Sequence, residues 1–148
     1  WTDVLWEDVD IMFIDMPPGT GDVPLSVYQS IPLSGIIIVT TPQDLVGMIV
    51  RKAVNMANLM NVPVLGLVEN MSYFTCPDCG KRYEIFGASK AEALARQYNI
   101  PAYARMPIDP NVARLADAGK IAEADTDALQ EIFLQVEKAR EINSFKAE

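Results

Sequence analysis

The chain has 148 residues, half of them hydrophobic and 22% charged, which is enough apolar material for one buried core without disulfides. A formal net charge of −8 excludes a partner held mainly through its phosphate backbone, since that attraction needs clustered Lys and Arg, so nucleic acid is not expected. No apolar run approaches the about 20 residues that a membrane-crossing helix requires, and no membrane partner is expected.

The chain opens on Trp1-Thr2-Asp3, with neither an initiator Met nor a basic and apolar leader, and reads as trimmed from something longer. Its first apolar run, Asp10 to Asp15, has the composition of a buried parallel strand. In open parallel sheets, ligands bind beyond the carboxyl ends of the strands, so Asp15 is a candidate for positioning a metal ion or a water. Pro17-Pro18-Gly19-Thr20-Gly21 follows at once. The prolines stiffen the backbone, and the glycines let it approach a ligand closely and turn free N–H groups toward a phosphate. The plainer alternative is that Asp15 merely caps the next helix and the glycines make a turn, and Asp22 is likewise read as a cap.

Gly35 to Thr41 and Val62 to Asn70 are two more apolar runs of the buried-strand kind. Between them, Val46, Ile49, Val50, Ala53, Ala57 and Met60 recur at helical spacing, which predicts a packed crossover helix over Leu45 to Met60. Its methionines are core filler. Ser72 to Phe86 is the one long irregular loop. Ser89 and Glu92 form a capping box for a helix to about Tyr98, which Asn99-Ile100-Pro101 ends. Ala102 to Met106 suggests a further strand. Asp109-Pro110 has the form of an N-cap with proline at the first helical position, and Gly119 is the stop. Leu129, Ile132, Phe133 and Val136 put an apolar stripe on a last helix that docks on the sheet. This alternation predicts an α/β chain, a single domain over residues 1–148 with a doubly wound, mainly parallel sheet.

The irregular loop, at about residues 72–86, carries the two cysteines of the chain in Cys76-Pro77-Asp78-Cys79-Gly80. Two thiolates separated by two residues can face one ion, and few cysteines in an otherwise intracellular-looking chain favour metal or redox chemistry in a reducing compartment. Closed zinc sites and iron–sulfur clusters normally take four protein ligands, and there is no histidine and no third cysteine. A thioredoxin-like dithiol would need Cys76 at a helix start, and a purely structural pair is a second possibility. The favoured arrangement is a site completed by a second copy across a two-fold axis, giving four thiolates; spacing does not choose between zinc and a cluster.

Asp15-Met16-Pro17-Pro18-Gly19-Thr20-Gly21-Asp22, Val68-Glu69-Asn70-Met71-Ser72, Cys76-Pro77-Asp78-Cys79 and Pro107-Ile108-Asp109-Pro110, in that order over nearly the whole chain, resemble the Mrp (ApbC-type) iron–sulfur cluster carrier ATPases. These are deviant Walker A P-loop NTPases related to MinD and ParA. The resemblance implies that Asp15 positions Mg2+ and its waters and that Gly19, Thr20 and Gly21 sit in the loop sensing the γ-phosphate of ATP. It also implies that Asn70 hydrogen-bonds adenine and that the backbone around Pro107 and Asp109 lines the base. Cys76 and Cys79 would then hold a [4Fe–4S] cluster shared by a homodimer and passed to apo iron–sulfur proteins in the cytoplasm.

The glycine-rich loop with its lysines that this family uses to cradle phosphates is missing from these residues, as is the acidic residue of its first switch region. A chain without that loop is expected to be poor at ATP hydrolysis alone, and without the first strand it would show an open sheet edge. Two other readings stand beside the carrier. One is a zinc-bridged, non-enzymatic dimerisation module. The other is a MinD/ParA-like regulatory ATPase, disfavoured because Glu141 to Glu148 is not a basic amphipathic anchor.

Overall fold

The computed structural model describes residues 3–17, 21–43 and 45–144. In chain order the elements are α1 (Asp22–Ser30), β1 (Ile36–Thr40), α2 (Val46–Leu59), β2 (Val64–Thr75), β3 (Arg82–Tyr83), α3 (Ala91–Gln97), β4 (Tyr103–Pro107), α4 (Pro110–Asp117) and α5 (Gln130–Ser144), with two short 3-10 turns before α5. β2 is central, pairing in parallel with β1 on one side and with β4 on the other. A two-residue antiparallel pairing joins β3 to the far end of β2. The expected α/β layering with a mainly parallel sheet is what the chain adopts.

Successive residues of β2 face opposite sides, so Leu67 and Val68 enter different cores. Leu67 packs with Ile38, Val50, Leu94 and Ile100 beneath α2 and α3, while Val68 packs with Ala102, Ala104 and Ile132 beneath α5. Helix α2 forms as its spacing predicts. Val46, Val50, Val54 and Ala57 are buried one turn apart and give it one apolar stripe. At Gly66 the sheet comes so close to α5 that a Cβ would run into the Ile132 side chain. Asp109 caps α4 by accepting from the Asn111 N–H at 2.8 Å, with Pro110 at the first helical position.

Three local expectations are corrected. Residues 11–17 are not a strand, and Ile11, Met12 and Phe13 are exposed. A parallel strand exists only as part of a ladder, and no described strand pairs with this run; just before it, Asp10 forms an ion pair with Arg140 of α5 at 2.9 Å. β1 likewise pairs with β2 alone among the described residues, which leaves its other edge without a ladder partner. Asp22 stands in the first turn of α1 after the N-cap Gly21 and is not itself the cap.

The third correction is the capping box of α3. Ser89 Oγ accepts from the Ala91 N–H at 3.4 Å, but Glu92 pairs with Arg96 on its own helix. Glu92 therefore does not reach back to the helix start, and the N–H of Lys90, the N-cap residue of α3, goes instead to Glu69 of β2 at 3.0 Å, so the sheet supplies a partner there.

Leu67 is fully buried between β2, α2 and α3. Leu67→Ala is expected to lower the unfolding free energy by about 3 kcal/mol, read by denaturant unfolding followed by far-UV circular dichroism. A loss below about 1 kcal/mol would mean that this face collapses onto the gap and is not the tight core described.

Candidate functional site

The site begins at an irregularity in β2. Glu69 lies opposite Arg105 of β4, and the next pairing is Tyr73 with Pro107, so the four-residue advance on β2 matches a two-residue advance on β4. Met71 takes the extra length with φ +55°, a left-handed backbone value rare for a residue with a side chain. The bulge lets Glu69 and Ser72 both face inward, each with no exposed surface, while Asn70 and Met71 stand out at the end of the sheet.

A carboxylate without water must find its hydrogen bonds in the protein. Glu69 Oε1 accepts from the Ser72 hydroxyl at 2.6 Å and Oε2 from the Lys90 N–H at 3.0 Å, with Arg105 Nε 3.8 Å away. Burial pushes the Glu69 carboxyl up, but the hydrogen bonds from Ser72, Ser89 and the Lys90 N–H, with the charge of Arg105, outweigh it and hold the group below the usual carboxylate range. Arg105 Nε donates to Ser72 Oγ at 2.8 Å, and its Nη2 donates to Glu84 Oε1 at 2.7 Å.

Beyond the bulge the predicted irregular loop is an ordered hairpin instead. Phe74 pairs with Tyr83 and Thr75 with Arg82. At its tip the Cys76 N–H donates to Lys81 O and the Gly80 N–H to Cys76 O, both at 2.9 Å. Gly80, at φ +68°, closes the knuckle in a conformation that side chains disfavour. The hairpin is ordered because its root is gripped: the Arg82 guanidinium lies 4.5 Å from the Tyr73 ring centre, and that of Arg105 lies 5.6 Å from it.

Both thiols are free, Cys79 exposed and Cys76 half-buried. Cys76 follows a strand, not a helix start, so the geometry of a thioredoxin-like dithiol is not present. Hydrogen bonds from the Cys79 and Asp78 N–H groups and from the Cys79 side chain hold the Cys76 thiol below its ordinary value, favouring the thiolate that binds metals. Among the described residues no cluster of three or more His, Cys, Asp or Glu groups could hold a metal within one chain. The donor set of one hairpin is therefore two thiols, half of a tetrahedral site.

Asn70 lies on β2 within the bulge, Pro107 ends β4 opposite Tyr73, and Asp109 follows as the cap of α4. Asn70 Oδ1 accepts from the Met71 N–H at 2.9 Å, which leaves its amide nitrogen as the donor. Asp15 lies exposed in the irregular run and Gly21 at the start of α1. No hydrogen bond or ion pair among the described residues joins either of them to the Asn70 edge. Gly19 and Thr20 lie outside the described residues.

Sequence reasoning missed the Glu69, Ser72, Arg105 and Glu84 network. The signal was available: Glu69 and Arg105 are charged residues inside apolar strand runs, where a charge is normally paired.

A family model described as ParA, NUBPL iron-transfer P-loop NTPase, matches residues 1–140. An iron-sulfur cluster carrier protein of Pseudomonas fragi is 45% identical over 119 residues, 80% of this chain and 42% of that protein. Another from Aquifex aeolicus is 41% identical over 136 residues, 90% of this chain and 37% of that protein. This chain therefore spans less than half the length of these curated relatives. Among solved structures, a nucleotide-binding protein from Archaeoglobus fulgidus in complex with ADP, with Co found by PIXE, superposes with a TM-score of 0.72. It is 46% identical, over 78% of this chain and 47% of that one.

The lowered carboxyl of Glu69 fixes the sign of its pH effect. Its stabilisation is full above the ordinary carboxylate value of 4.5 and is lost as pH falls through the lower folded value. Glu69→Gln is expected to cost about 2 kcal/mol at pH 7, with the gap to the parent narrowing as pH falls below that ordinary value, read by thermal unfolding between pH 7 and pH 3. A gap that does not change with pH would show that Glu69 is not held as a carboxylate.

Proposed function

The chain belongs to the NUBPL-type iron-transfer P-loop NTPase family, and on that premise we propose that it is the carboxy-terminal part of an ATP-dependent carrier of [4Fe–4S] clusters. The observation that carries this reading is the Cys76–Cys79 hairpin tip, which offers two thiols and, among the described residues, no third ligand. Two such hairpins related by a two-fold axis supply four thiolates, the full protein ligand set of a cubane cluster. The cluster is cargo, held at the tip between two copies and handed to apo iron–sulfur proteins. An exposed tip suits that task, because an acceptor's thiolates must reach the iron while the carrier's thiolates let go.

The nucleotide half of the proposal rests on the carboxyl end of the sheet, the usual place for ligands in open α/β folds. Asn70 would donate its amide to the adenine ring, and Pro107 and Asp109 would bound the base. Asp15 would hold Mg2+ and its waters, with Gly19, Thr20 and Gly21 near the γ-phosphate. Hydrolysis belongs to the whole protein, since these 148 residues contain no Gly-Lys-Ser or Gly-Lys-Thr step to neutralise the phosphates. Among the described residues no helix is long and apolar enough to cross a membrane, and the proposed setting is the cytoplasm.

Anaerobic reconstitution tests the carrier role. The parent should take up about four iron and four sulfide per two chains, and Cys76→Ser with Cys79→Ser should abolish uptake. Equal loading of parent and variant would overturn the reading. Zinc bound at two thiol pairs per ion, with no labile sulfide, would favour a zinc-bridged dimerisation module instead.

In the full-length protein, Asp15→Asn should reduce ATP hydrolysis by about a hundredfold while leaving cluster uptake at the parental level. Unchanged turnover would remove Asp15 from the metal site.

A further inference from the structure

Arg105 is a charged side chain in the middle of β4, flanked by the buried Ala104, and the cores on the two faces of the sheet close without it. Its contacts go elsewhere. Nε reaches Ser72 at the bulge at 2.8 Å, and Nη2 reaches Glu84 just beyond β3 at 2.7 Å. The guanidinium also lies 5.6 Å from the ring centre of Tyr73. Ser72 and Tyr73 lie on the outgoing arm of the cysteine hairpin and Glu84 on the returning arm. One planar group thus clasps both arms at the root. Its other anchor is the fully buried Glu69, 3.8 Å from Nε, which is itself tied to Ser72 and to the start of α3.

A two-stranded ribbon held by two residue pairs is marginal in water and swings unless something fixes it to the body. Among the described residues, Arg105 fixes the hairpin to the body, and Ile108 N–H adds a bond to Tyr73 O at 2.7 Å. The second bond holds the outgoing arm alone. The returning arm, which sets where Cys79 and Gly80 lie relative to Cys76, is held to the sheet through Glu84.

We propose that Arg105 is the positioning residue of the cysteine knuckle, holding the returning arm at Glu84 and the outgoing arm at Ser72 so that Cys76 and Cys79 keep one orientation to the sheet. The role matters for cargo only if the carrier reading above holds, but the geometry it asserts does not depend on a cluster. Arg105 spans two acceptors from one planar group, Nε on Ser72 and Nη2 on Glu84, a geometry that Lys cannot reproduce, since an ammonium is a single point charge.

The test uses the metal-free protein. Glu84→Ala removes a half-exposed carboxylate and should leave the fold intact, and Arg105→Lys keeps the charge beside Glu69 while losing the fork. Each should raise the alkylation rate of Cys76 and Cys79 by iodoacetamide about threefold and speed exchange of the Cys76 amide by a similar factor, as expected for an ion pair with partial exposure. Glu84→Gln, which still offers an acceptor to Nη2, should return both rates most of the way to the parent.

Unchanged rates in Glu84→Ala and Arg105→Lys would overturn the proposal. So would faster exchange spread equally over β1, β2 and β4, because that pattern marks general loosening. A parent that takes up no iron or sulfide would sink the carrier reading and leave this result standing, so the two failures are distinct.

Discussion

Glu69 puts a full negative charge where the sheet has no water, and the rest of the site is arranged around satisfying it. A buried carboxylate without partners would cost several kcal/mol. The protein meets this with a hydroxyl from Ser72 of β2, the N–H of Lys90 at the N-cap of α3 and the charge of Arg105 on β4. Losing Arg105 leaves the buried carboxylate without its counter-charge, and losing the Ser72 hydroxyl leaves one of its oxygens short of a donor. The network therefore locks β2, β4 and α3 in one relation at the end of the sheet where the chemistry is proposed to occur.

That lock explains the form of the hairpin. β2 would end at about Asn70 if it followed its apolar run, but the bulge at Asn70 and Met71 returns Ser72 to the interior, where it meets Glu69. The strand can then continue to Thr75 and carry the two thiols away from the body. The bulge also exposes Asn70 at the sheet edge, so one backbone irregularity serves both halves of the proposed function. The lowered Cys76 thiol follows from the same local order, since the N–H groups of Asp78 and Cys79 are aimed at it by the closed knuckle.

Membership of the iron-transfer P-loop NTPase family and the two-thiol tip are mutually consistent in chemistry. Under the proposed function, the P-loop NTPase fold would supply the nucleotide-dependent change of state, and the two-thiol tip would supply a cargo position completed by a second copy. The Asn70 edge and the knuckle are only a few residues apart along β2, with Glu69, Ser72 and Arg105 between them. The exposed Ile11, Met12 and Phe13, and the edge of β1 that has no ladder partner among the described residues, are apolar and hydrogen-bonding surfaces that strand pairing would bury.

The sequence by itself determined the strands of the parallel ladder, the packed helix between the first two of them, the Asp109-Pro110 cap and the spacing of the two cysteines. Each of these is written in local periodicity or in the chemistry of adjacent residues, which a single pass along the chain can read. Tertiary structure decided the extension of β2 through a bulge, the ordered hairpin in place of a loop, and the capping of α3 by Glu69 where Glu92 was expected. It also decided that residues 11–17 stay out of the ladder. These depend on partners 21 to 33 residues away, such as Lys90 for Glu69 and Arg105 for Ser72. A buried charge or an unpaired strand edge has no energy until its neighbours are placed, so only the folded chain could settle them.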